Sequence, residues 1–162
     1  MDTFNSSDNR FRADNQQGRL DPGWIVGFVD GEGCFSISIF KNATTTAGVQ
    51  IFPEFVVTQG AKSLQVLENL QDFFDCGRIY ENKRKDNHRE SLYRYCVRSK
   101  TDLRDKIIPF FQKYPLKTSK HQDFLVFCQV LDIIESKIHL TPNGLQAIRD
   151  LAATTNRRKQ RV

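Results

Sequence analysis

The chain is poor in the residues that build soft-metal centres and covalent cross-links. Its three histidines, His88, His121 and His139, have no paired spacing, which argues against a zinc site or a histidine-metal nuclease centre. The four cysteines, Cys34, Cys76, Cys96 and Cys128, stand too far apart for any CxxC pair, and no secretory signal precedes them. They read as reduced, mostly buried thiols of an intracellular protein. No apolar run approaches the length of a bilayer-spanning helix, so no membrane span is expected. Residues 1–20 have few apolar anchors, only Phe4, Phe11 and Leu20, and read as a flexible tail. Asp2, Asp8 and Asp14 in that tail speak against an organellar targeting peptide, a class usually poor in acidic residues.

What is present fits one packed domain. Apolar residues make up 39% of the 162, with 13 phenylalanines, enough for a real core. Lys and Arg total 24 against 19 Asp and Glu, and the resulting +5 suits a polyanionic partner without proving one.

The most informative stretch is Trp24 to Gly33. Asp21 is a good N-cap and Pro22 a good first helical residue, and an apolar run follows with no polar face. Such a helix belongs in an interior or between two molecules. Gly27 and Gly31, four apart, would let a second helix backbone approach closely. Asp30 and Glu32 close this apolar helix, where unpaired carbonyls already make the end negative. A carboxylate there needs a hydrogen-bond partner, a cation or a metal.

After Gly33 the period changes to two. Phe35, Ile37 and Ile39 alternate with Ser36, Ser38 and Phe40 in a strand with one buried face. Residues 49–59 return as a second strand, which Pro53 marks as an edge strand or a bulge. Residues 62–74 form a helix with Leu64, Leu67, Leu70 and Phe74 on one face. Two further strands, 78–84 and 92–98, are joined by a polar loop and place Arg78, Tyr80, Asn82, Arg84, Arg94 and Arg98 on one outer face, suited to phosphates and base edges. A helix from Thr101 is kinked or broken by Pro109. Residues 122–135 form another, with Phe124, Phe127, Leu131 and Ile134 buried. Thr141-Pro142 opens a last helix carrying Leu145, Ile148 and Leu151, and residues 154–162 form a basic tail.

The nonapeptide Ile25-Val26-Gly27-Phe28-Val29-Asp30-Gly31-Glu32-Gly33 resembles the signature motif of the LAGLIDADG homing endonucleases, and the order of elements over residues 21–153 agrees with that family. The resemblance implies an α+β fold, α-β-β-α-β-β-α-α, whose curved four-stranded antiparallel sheet sits in the DNA major groove. A single motif implies a homodimer joined through Gly27, Phe28, Asp30 and Gly31. It implies that Glu32, with the Gly31 carbonyl, holds Mg²⁺, for which Mn²⁺ can substitute and with which Ca²⁺ supports binding without cleavage. Gln59 matches a residue that orders water. A lysine before the penultimate helix is either Lys117 or Lys120, and Lys120 fits better by its distance from Asp123-Phe124. Ser36, Ser38, Asn42, Gln50, Tyr80, Asn82, Arg84, Arg94 and Arg98 would face double-stranded DNA. The implied activity is metal-dependent cleavage of both strands of a long pseudo-palindromic site, in an intracellular and, by the family's habit, organellar setting (chloroplast or mitochondrion). Two alternatives stand beside it: an RNA-binding intron maturase, and a DNA-binding protein with a dead nuclease centre. The intact Asp30-Gly31-Glu32-Gly33 speaks against the second.

Overall fold

In a computed structural model the described residues are 20–82 and 91–156. The expectations for residues 1–19, for Arg84 and His88, and for the tail beyond residue 156 lie outside them. Asp21 opens helix α1 (Pro22–Glu32) as expected, with extended backbone and a carboxylate that accepts the Trp24 N–H at 3.0 Å. Gly33 ends it. A Cβ there would lie 2.6 Å from Val29 Cγ1 and 2.9 Å from the Val29 carbonyl oxygen, so only glycine lets the chain leave the helix so close to its last turn.

The chain passes directly into β1 (Gly33–Lys41), turns through a loop closed by Asn42, and returns as β2 (Val49–Gly60). Asn42 accepts the Thr44 N–H and hydroxyl and donates to Gln50, so it organises the loop from its first residue. A single 3-10 turn leads into α2 (Leu64–Phe74), which buries Leu67, Leu70 and Phe74. The hairpin strands β3 (Arg78–Asn82) and β4 (Leu92–Val97) complete an antiparallel sheet of order β1-β2-β4-β3. Gly77, at φ +80°, makes the turn into β3 beneath Tyr95, whose ring leaves no room for a side chain there.

The placement of β2 corrects the sequence reading. It is an interior strand, paired with β1 along Val49–Val57 and with β4 from Phe55 to Gly60. Pro53 sits where β2 has a neighbour on one side only, so its missing N–H is tolerated without making the whole strand an edge.

After β4 the chain forms α3 (Lys100–Asp102), one π turn (Leu103–Ile107) and α4 (Ile108–Lys113) as one continuous helical stretch. Pro109 does not break it. The Ile108 N–H reaches back to the Leu103 carbonyl, a wider loop that absorbs the proline ring and its absent donor. Helices α5 (Lys120–Glu135) and α6 (Pro142–Asn156) follow, α6 running into the segment expected as a tail. The helices cover one face of the sheet. Phe35 lies at the centre of that core, with its ring against Phe55, Phe111, Phe124 and Phe127 at 5.2–5.5 Å between centroids. Of the four thiols expected to be mostly buried, only Cys96 is; Cys76 and Cys128 are half-buried, and Cys34 is exposed because it faces away from the core on the edge strand β1.

Candidate active site and nucleic-acid interface

Helix α1 is buried on one side only. Ile25, Val26 and Val29 enter the core, while Trp24, Gly27 and Gly31 are exposed and Phe28 lies half-buried beside them. The Trp24 and Phe28 rings stack at 4.9 Å, and a Cβ at either Gly27 or Gly31 would meet nothing within 4 Å. The helix therefore presents an open apolar face with two gaps at its centre. The sequence reading of burial on every side holds only if something covers that face.

Asp30, expected at the same interface, turns to its own chain. Its carboxylate accepts the N–H of Lys117 at 2.7 Å, the N–H of Thr118 at 3.2 Å and the Thr118 hydroxyl at 2.8 Å, which ties the end of α1 to the loop before α5. Burial pushes its pKa up. The Lys117 N–H, the two Thr118 donors and the nearby Lys120 charge together outweigh that, and the net effect holds the carboxyl below its ordinary 3.8.

Glu32 ends the helix and is exposed. No hydrogen bond joins its side chain to another described residue. Lys120 comes up beside it as the first residue of α5, not from the preceding loop, and its ammonium donates to the Val29 carbonyl at 2.8 Å. Burial lowers the Lys120 pKa from 10.5, against the opposing pull of Cys34, Asp30, Glu32 and Asp123. Lys117, by contrast, is exposed and reaches this end of α1 through its backbone N–H. The geometry thus separates the two lysines that the sequence left open.

Gln59 belongs to the core-facing set of β2, paired with Tyr93, and is half-buried. Gly33 pairs with Val57, so Gln59 lies two residues past the start of β1, at the same end of the sheet as Glu32. It caps no helix: the following 3-10 turn has Gly60 at its N-cap with no side-chain bond. One end of the molecule therefore gathers the last turn of α1, the end of β2 and the first residue of α5. Among the described residues, no group of three or more His, Cys, Asp or Glu side chains could hold a metal by itself. What is offered to a cation is one exposed carboxylate beside helix-end carbonyls that no intrahelical donor reaches.

The other surface is the outer sheet face. Strand register puts Ser36, Ser38, Gln50, Arg78, Tyr80, Asn82 and Arg94 on it, and Arg98 continues the alternation. Asn42 stands at its rim through the Gln50 bond. Two residues there escape sequence reasoning. Arg149 of α6 comes to the edge strand β1, in a cleft lined by Ser36, Ser38 and Phe40 of the outer face and by Ile37 and Ile39 of the opposite one, brought there by tertiary packing alone. Glu54 lies buried on the outer face between Arg94 and Arg98, accepting from Arg94 Nη2 at 3.1 Å and from Arg98 Nε. Its signal was in the sequence, as a lone charge inside the run Ile51 to Val57.

Comparison with known proteins agrees with this arrangement. The family model described as LAGLIDADG endonuclease matches residues 25–131. The uncharacterized 50.9 kDa protein in ND4 intron 1 of Podospora anserina is 36% identical over 124 residues, which is 75% of this chain and 26% of that protein. Among solved structures, the homing endonuclease I-TnaI superposes with a TM-score of 0.78 at 40% identity, covering 85% of this chain and 89% of the other. I-SmaMI bound to uncleaved DNA target in the presence of calcium ions gives 0.76 at 35% identity, over 84% of this chain and 45% of that one. The chain thus spans about a quarter of the length of the Podospora protein and most of the I-TnaI chain. With the motif, the sheet order and the sequence match all falling on the same residues, this chain belongs to the LAGLIDADG endonuclease family.

Proposed function

We propose that the protein is a site-specific DNA endonuclease that cuts both strands of a long, roughly two-fold symmetric target, acting as a homodimer. The observation that carries this reading is the position of Glu32. It is an exposed carboxylate at the end of a helix whose open apolar face, Trp24, Gly27, Phe28 and Gly31, is shaped for a second copy of the same helix. Joining two copies there would bring two Glu32 side chains, each with its Lys120, close to one axis, and would set the two arginine-bearing sheets side by side along a duplex.

The donor set fits a hard cation shared with substrate. Mg²⁺ binds through one or two carboxylates together with phosphate oxygens and retained waters, and Glu32 with the Gly31 carbonyl would supply the protein's share. Such an ion, when bound, supplies positive charge at the phosphate and makes a water more acidic. The chain's own residues do the rest. Glu32 fixes where the positive charge sits. Lys120, anchored on the Val29 carbonyl, places an ammonium where charge develops on the phosphate, and Gln59 orients water from the end of β2. The sheet faces the duplex with Arg78, Arg94 and Arg98 together with Ser36, Ser38, Asn42, Gln50, Tyr80 and Asn82, a set suited to phosphates and base edges.

Incubating the protein with a library of duplexes and sequencing the cleaved ends tests this reading. Cutting of both strands at one extended site in Mg²⁺, and none with a chelator, is the expected result. Cutting without sequence preference, or undiminished in chelator, would overturn it.

A further inference from the structure

Glu54 is the one buried charged side chain among the described residues, at 8% exposure, and it is not in the core. Its register partner on β1 is Ser36, so it stands on the outer sheet face, and what buries it is its neighbours. Val56 and Cys96 are buried on the same face yet lie outside the core cluster. Both Glu54 oxygens are occupied, Oε1 by Arg94 Nη2 and Oε2 by Arg98 Nε. The Arg98 guanidinium also lies 5.1 Å from the Tyr80 ring centroid and 5.8 Å from that of Phe52. A carboxylate and two aromatic rings therefore hold one arginine.

Folding alone gives little reason for this arrangement. A buried ion pair seldom stabilises more than apolar residues of the same volume would, and a negative charge at the centre of the face weakens its pull on phosphates. What it does supply is orientation. Arg98 is held through Nε, and its two terminal nitrogens make no hydrogen bond to a described residue. They form the edge of the fork that matches O6 and N7 of guanine in the major groove. Both arginine side chains remain about two-fifths exposed, so this edge is open to a ligand.

We propose that Glu54 is a positioning residue for DNA reading, which fixes Arg98 so that its terminal nitrogens address one guanine, with Arg94 steadied beside it. This rests on the sheet being the DNA-binding face. It differs from a phosphate-binding role for the same arginines in one measurable respect. A phosphate contact needs charge and little orientation, and removing an adjacent acid should strengthen it. A base contact needs the angle that Glu54 sets.

The test selects duplexes from a randomised pool with the wild-type protein and compares base preference at each position for wild type, Glu54→Gln and Arg98→Lys. Glu54→Gln should lose about tenfold of the guanine preference at one base pair of each half-site, leave the other positions unchanged, and bind a mixed-sequence duplex more tightly with a steeper salt dependence. Arg98→Lys should lose the same preference while keeping the wild-type salt slope. Glu54→Gln with an unaltered profile, or with every position weakened equally, would overturn the proposal while the DNA-binding reading stood. A wild-type protein that selects no sequence at all would bring down both. Where thermal melting shows Glu54→Gln unfolded, Arg98→Lys decides: no loss confined to one base pair means that Arg98 does not read a base.

Discussion

Glu32 and Asp30 lie two residues apart on one helix and have opposite surroundings, so their substitutions should part company. Glu32 has no hydrogen-bond partner among the described residues. Glu32→Gln should leave the fold and the affinity for DNA in Ca²⁺ near wild type, and abolish Mg²⁺-dependent cleavage. A cleavage assay and a binding assay on the same duplex check this. Asp30 holds the α5 loop with three hydrogen bonds, so Asp30→Asn should cost stability, about 1–2 kcal/mol, because an amide faces three donors with a single acceptor oxygen. The sign with pH follows from its lowered pKa. The carboxylate's contribution is complete above the unfolded value near 3.8 and disappears as pH falls through the lower folded value. Thermal melts of wild type and Asp30→Asn should therefore differ at neutral pH and converge in acid. For Lys120, Lys120→Met keeps the apolar stem and removes the charge. Cleavage at saturating DNA should fall at least about tenfold with binding retained, whereas Lys117→Met, at an exposed side chain, should change little.

At the scale of elements, α1 separates what glycine does for the fold from what it does for assembly. Gly33→Ala puts a methyl 2.6 Å from Val29 Cγ1 and should destabilise the subunit itself, by roughly 1–3 kcal/mol. Gly27→Leu meets open space in the single chain and replaces a mid-helix glycine with a better helix former, so it should not lower the single chain's unfolding transition. In a helix-to-helix dimer the same leucine forces the backbones apart, so sedimentation should show dissociation and double-strand cleavage should fall with it. A Gly27→Leu protein that remains dimeric and active would place the second copy elsewhere.

For the molecule as a whole, charge and shape lead to a salt prediction. The net +5 becomes useful through its distribution, with Arg78, Arg94, Arg98 and Arg149 on or beside one sheet face. Affinity for duplex DNA should fall linearly on a log–log plot against salt, with a slope near −0.9 per phosphate contact, and Arg78→Ala and Arg149→Ala should each flatten it if they meet phosphate. Titrations at several salt concentrations check this. An unchanged slope for both variants would place the duplex away from both edges of the sheet, β3 with Arg78 and β1 beside Arg149.

Local chemistry in the sequence decides some of these features and not others. The caps at Asp21 and Pro22, the alternation that sends Ser36 and Ser38 outward with Arg94 and Arg98, the buried stripe of α5 and the anomalous acid at Glu32 all follow from interactions within a few residues, which one chain displays directly. The interior position of β2 does not, because a proline reads the same whether the strand beside it runs the full length or stops at Phe55. The separation of Lys117 from Lys120 and the capture of Asp30 by Thr118 depend on groups 87 to 91 residues apart in the chain. Glu54 pairs across 40 and 44 residues. Periodicity tells which face of a strand a residue occupies, but which strands become neighbours is set by packing of the whole core. Only that packing turned a lone acid in an apolar run into the clamp for two arginines.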